Sequence, residues 1–68
     1  MRLVHTGADS YQAFVDSGLD VQPVHAGMSR FANPGEAWDL WWRPTGWSDH
    51  VRVAVGDVID TATSTVIR

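Results

Sequence analysis

Cysteine is absent from this 68-residue chain, and that single absence removes disulfide staples, thiolate metal sites and cysteine nucleophiles together. Small secreted domains usually need such staples, so a cytoplasmic location is the expectation. Lysine is absent too. All five basic residues are arginine, a bias that fits coding by a GC-rich genome, such as that of a bacterium or one of its phages, better than any structural need. Long apolar runs are also missing: the start, Met1-Arg2-Leu3-Val4-His5-Thr6, turns polar too soon for a signal peptide, and no later segment approaches a membrane span. Positive charge is in deficit, with a formal net charge of −3. Nucleic-acid binding is therefore not expected, because phosphate contacts need a basic field that displaces counterions.

Recognisable chemistry is equally sparse. The three histidines, His5, His25 and His50, lack the helical i, i+4 spacing or cysteine partners of a metal site, and are expected at strand ends or on the surface. Asp49-His50 is the one contiguous acid and imidazole pair, but neighbours on a strand point to opposite faces. The serines have no nucleophile-elbow context and the eight acidic residues form no diagnostic pair. Asp9 reads as a helix cap and Asp57 as a turn residue. Neither Gly46 nor Gly56-Asp57 carries the glycine spacing and lysine of a phosphate loop. No enzyme, metal or cofactor is expected on these grounds.

What the chain does have is tryptophan: four between Trp38 and Trp47. A domain of this size buries a small core and is only marginally stable. Each hidden indole removes roughly 200 Å² from water, so these rings dominate whatever core forms. Not all of them can be hidden, and an exposed one is a candidate contact.

The remaining pattern is α+β. Tyr11, Phe14 and Val15 recur at the spacing of one helical face, Asp9 or Ser10 supplies a side-chain acceptor at the start and Gly18 a left-handed stop, which predicts a short helix over 10–17. Arg2 to His5 reads as an edge strand. From Leu19 onward, β-branched residues alternate with Gly and Pro punctuation. Val51-Arg52-Val53-Ala54-Val55 has strict period two, with the valines facing the core, Gly56-Asp57 is a tight turn into Val58-Ile59, and Thr63 to Ile67 is a terminal strand.

The tryptophan segment admits two readings. As a helix, Asn33 caps, Pro34 sits at the first position, Glu36 completes a capping box, and Pro44 ends the element. As a strand, Asn33-Pro34-Gly35 is a hairpin turn joining Met28-Ser29-Arg30-Phe31-Ala32 to Glu36 through Arg43. The hairpin is favoured, because Pro-Gly is turn chemistry and glycine in a first helical turn is a cost. On that reading Trp38, Leu40 and Trp42 share one face while Asp39, Trp41 and Arg43 share the other. Trp41 is then the outward ring, unless the helix covers that face as well.

The expected fold of residues 1–68 is thus one small domain in which a short helix packs on a curved antiparallel sheet of four or five strands. The expected function is non-catalytic protein binding, as a regulator or inhibitor of a larger partner or as an assembly subunit, including one of a phage particle. Trp41, Arg43, Trp47, Arg52 and Asp39 form the expected surface. Homo-oligomerisation is expected because the Thr61 to Ile67 tail carries no charge or proline to block strand pairing. The alternative is a module that uses the same tryptophans to bind a small molecule, sugar or nucleobase.

Overall fold

The computed structural model describes residues 1–24 and 35–68. The elements in order are β1 (Arg2–Val4), α1 (Ala8–Asp16), β2 (Asp20–Pro23), β3 (Leu40–Arg43), β4 (Val51–Val53), β5 (Val58–Asp60) and β6 (Thr65–Ile67). The strands form two small antiparallel three-stranded sheets, ordered β1-β5-β6 and β2-β3-β4, so the single curved sheet of four or five strands is corrected to two separate sheets. The reason lies between β4 and β5. The valine alternation does not run on through Val55; the strand stops at Val53, where Ala54–Asp57 closes a turn through the Asp57 N–H on the Ala54 carbonyl and the Ala54 N–H on Asp57 Oδ2. The chain thereby leaves one sheet for the other, and Val55 is exposed rather than inward.

The helix begins two residues before the expected 10–17, with Gly7 at the N-cap. Asp9 is therefore not the cap but an exposed first-turn residue. Ser10 reaches back instead, its Oγ accepting the Thr6 and Gly7 N–H groups at 2.8 and 3.2 Å. At the other end the Gly18 N–H bonds the Val15 carbonyl and the Leu19 N–H the Phe14 carbonyl, with Gly18 at φ +87°. This is the Schellman arrangement, and it stops the helix where the sequence predicts.

The core is Ala8, Phe14, Trp38, Leu40, Trp42, Val53 and Ile59, with Leu3, Tyr11, Leu19, Val21 and Val66 packed around it. Residues 38–43 take the extended reading, for Trp38, Leu40 and Trp42 point inward while Trp41 and Arg43 do not. The strand proper begins at Leu40 rather than Glu36, and its partner is β2, through Asp20↔Arg43, Val21↔Trp42, Gln22↔Trp41 and Pro23↔Leu40. The expected partner strand, Met28 to Ala32, and Asn33-Pro34 of the hairpin turn lie outside the described residues. The strand tips carry their own fastenings. Asp60 is buried, which by itself raises its pKa, but the Ala62 and Thr63 amides, the N-terminal charge and Arg2 outweigh burial and hold the carboxyl below the usual range. Arg68 pairs with Asp57 at 2.8 Å and donates to the Arg52 carbonyl on β4, bridging the two sheets.

One crossing positions all of this. The Ala8 N–H donates to the Glu36 carbonyl at 2.8 Å, bringing residues 36–38 across the start of α1. Gly7, at φ +129°, lies so close beneath that a Cβ there would overlap the Glu36 carbonyl and crowd Ala37 Cα at 2.8 Å. At Gly18 a Cβ would meet nothing within 4 Å. The same substitution at the two sites therefore separates collision from backbone strain. Gly18→Ala is expected to cost about 1 kcal/mol, the penalty for a positive φ. Gly7→Ala is expected to cost upward of about 3 kcal/mol, or to prevent folding. Urea unfolding of the two variants beside the wild type provides the check, and equal losses would contradict the crossing.

Candidate functional site

Antiparallel pairing decides which side chains share the outer face of the β2-β3-β4 sheet. Trp41 sits at its middle, with Gln22 of β2 on one side and Arg52 of β4 on the other. The ring is half-buried, whereas Gln22, Arg43 and Arg52 are exposed, so the helix packs on the opposite face and leaves these side chains in solvent. The Arg52 guanidinium lies 5.9 Å from the Trp41 ring centroid, within cation–π range. Gln22 Nε2 donates to His50 Nε2 at 3.1 Å. Gln22, Pro23, Val24, Trp41 and His50 border an open groove of about 480 Å³. His50 is on the surface, as expected, while His25 lies outside the described residues.

Ion pairs hold this face in shape. Arg52 donates from Nε and Nη2 to Asp39 Oδ2 at 3.1 and 3.0 Å, and Asp39 Oδ1 accepts the Val55 N–H at 3.3 Å. The Arg52 hydrogen bonds hold the Asp39 carboxyl below its ordinary pKa against a raising contribution from burial, helped by the Val55 amide and by the charges of Arg52 and His5. Arg43 Nε donates to Asp20 Oδ2 at 2.7 Å across the β2-β3 pair. Four of the five residues expected from sequence are therefore on one surface: Arg52 in contact with both Asp39 and Trp41, and Arg43 two positions along β3 from Trp41.

Trp47 is elsewhere. It ends the turn closed by its N–H on the Pro44 carbonyl and is 47% exposed. It lines a separate cleft of about 680 Å³, where the ends of β2 and β3 meet the tail of α1 and the β5-β6 turn. Arg43 borders this cleft also, so it is the junction between the two surfaces.

His5 departs from expectation: it is fully buried rather than on the surface. Its Nε2 lies 2.7 Å from the Trp38 carbonyl, which can only accept, so Nε2 carries a proton. Its Nδ1 lies 2.8 Å from Ser10 Oγ. Ser10 Oγ also accepts the Thr6 and Gly7 N–H groups and lies 3.0 Å from the Gly7 carbonyl, to which it donates, so the imidazole is fastened to the start of the helix on one side and to the Trp38 backbone on the other. The pair resembles a nucleophile and its base only in composition, because the serine oxygen is committed to capping the helix. A sequence signal for burial existed: in period two His5 shares a face with Leu3, not with Val4. Leu3 is half-buried and Val4 exposed.

Among the described residues no cluster of three or more His, Asp or Glu side chains is arranged to hold a metal ion. No helix there is long and apolar enough to cross a membrane. No family model, curated protein or solved structure matches the chain.

Replacing His5 with alanine strands the Trp38 carbonyl in the core and removes a ring packed on Phe14 and Trp38. A loss of about 2–4 kcal/mol in chemical denaturation is expected. Asp39 yields a pH prediction. Its folded-state pKa lies below the unfolded one, so its contribution is present above the ordinary carboxylate pKa of about 4 and fades as pH falls toward the depressed value. Melting temperature followed between about pH 6 and 3 is expected to decline less steeply in Asp39→Asn than in the wild type.

Proposed function

We propose that this chain is a non-catalytic protein-binding module, serving a larger partner as regulator or inhibitor or building an assembly, and that it docks through the outer face of β2, β3 and β4. The observation that carries the reading is Trp41, a large ring held at the centre of an otherwise polar sheet face and turned away from the core. Tryptophan and arginine are the residue types that dominate interface energies, and they do so at the middle of a contact, where a polar rim excludes water. Here the rim is already assembled. Arg52 and Arg43 are paired with Asp39 and Asp20, so their rotamers are restrained before any partner arrives and less ordering entropy is lost on docking. Mutual neutralisation also lowers the cost of removing these charges from water. The partner surface that fits is apolar at its centre and uncharged or mixed in charge around it. A second copy of the chain is one such partner.

Trp41→Ala is expected to retain the fold, losing no more than about 1.5 kcal/mol with its cation–π contact, whereas Trp38→Ala is expected to lose about 3–5 kcal/mol as a core truncation. Light scattering after size exclusion reads self-association, and affinity capture reads a heterologous partner. The proposal expects one of these to register for the wild type, to vanish for Trp41→Ala and to persist for Trp47→Ala. Association unchanged by Trp41→Ala, or unfolding as severe as that of Trp38→Ala, would count against this surface.

A further inference from the structure

A ligand site is suggested by the second concavity, which shares no tryptophan with the docking face. At about 680 Å³ the Trp47 cleft falls within the roughly 300–1,000 Å³ range of small-molecule sites. One wall is the half-exposed indole of Trp47, with Trp42 and Pro44 beside it. The lining also carries groups that donate and accept: the hydroxyls of Thr45, Thr61 and Ser64, and the Asp20–Arg43 pair.

We infer that this cleft binds a neutral saccharide, one sugar face lying on the Trp47 indole and its hydroxyls meeting the Asp20–Arg43 pair and the threonine and serine hydroxyls. Three features select that chemistry. An indole accepts the apolar C–H face of a sugar ring, and its exposure keeps it available without repacking the core. The Asp20–Arg43 pair is internally neutral, so it offers no net charge to recruit an ion. Yet it joins only Nε to Oδ2 at 2.7 Å; the remaining guanidinium N–H groups and the second carboxylate oxygen are a planar donor and acceptor set that adjacent sugar hydroxyls can bridge. Flat aromatic ligands would stack on Trp47 equally well but would leave those polar groups without ligand partners, and polar groups left unpaired on binding cost affinity.

The test is a titration of the isotopically labelled full chain, followed by the indole N–H resonances in two-dimensional NMR. Glucose, N-acetylglucosamine and cellobiose serve as sugar probes, with adenosine and phenol as flat-ring comparators. The expected result is a saturable shift of the Trp47 resonance with at least one sugar in the millimolar range, while the Trp41 resonance stays in place. Trp47→Ala is expected to weaken binding by about tenfold or more, which corresponds to about 1.4 kcal/mol, and Asp20→Asn to weaken it several-fold. Should Trp47→Ala fail to fold, Asp20→Asn, an exposed rim substitution, decides. The inference is overturned if no sugar shifts Trp47, if adenosine or phenol shifts it and the sugars do not, or if sugar binding survives Asp20→Asn and Trp47→Ala unchanged. Because Trp41 lies outside the cleft and Trp47 outside the docking face, Trp47→Ala removes this site and leaves the Trp41 contact in place, while Trp41→Ala does the reverse.

Discussion

The hydrogen bond from the buried His5 ring to the Trp38 carbonyl ties residues 33 positions apart and sets the register of everything that follows. A strand alternates with period two, so a slip of one residue exchanges its faces completely. With the Trp38 carbonyl held under His5, and the Glu36 carbonyl on the Ala8 N–H, Trp38, Leu40 and Trp42 go inward and Trp41 goes out. A slip would bury Trp41 and Arg43 and push Leu40 and Trp42 into water. Glycine at position 7 is what lets the two segments approach closely enough for this bond to form.

The two surfaces that result differ in how they use charge. On the outer sheet face, among the described residues, Arg43 and Arg52 each have an acidic partner, and Trp41 lies between them with the Arg52 guanidinium near its ring. At the cleft the relation is reversed: the ring forms the wall and the charged pair is the recognition group. Arg43 stands at the boundary, paired with Asp20 and bordering both surfaces. Among the described residues four arginines are each paired with an aspartate, and charges neutralised in this way add little to a long-range field.

Much of the fold was legible because local chemistry and tertiary context agree. Gly18 closes a Schellman motif where the apolar spacing ends, Gly56-Asp57 is the turn that its composition suggests, and period two in Trp38-Asp39-Leu40-Trp41-Trp42-Arg43 names the outward ring correctly. What was illegible came from long-range pairing. Val53 to Val55 looks like uninterrupted strand, and only the Asp57 side chain bonding back to Ala54 shows that the chain changes sheets there. His5 looks like a surface residue because its two partners, Ser10 and the Trp38 backbone, lie in different elements. Trp47 is near Trp41 in sequence, but the turn after Pro44 carries it round to another side. The pairing of Arg52 with Asp39, rather than with open solvent, depends on the β3-β4 register, which no local pattern encodes.

The position of β1 has a consequence for the order in which the molecule is made. Its residues pair with β5, Arg2 opposite Asp60, and the Met1 carbonyl receives the Thr61 N–H. Strand β1 is synthesised well before β5 and must therefore wait until residues 58–60 have emerged before it finds its neighbour. Helix α1 and the β2-β3-β4 sheet can assemble earlier, but the floor that Ile59 and Val66 supply arrives last. Closure is governed by contacts of large sequence separation, which fold slowly for their size, and until it occurs the inner faces of Trp38 and Trp42 are open to the wrong neighbours. Exposure of these apolar faces before closure is the hazard this topology creates.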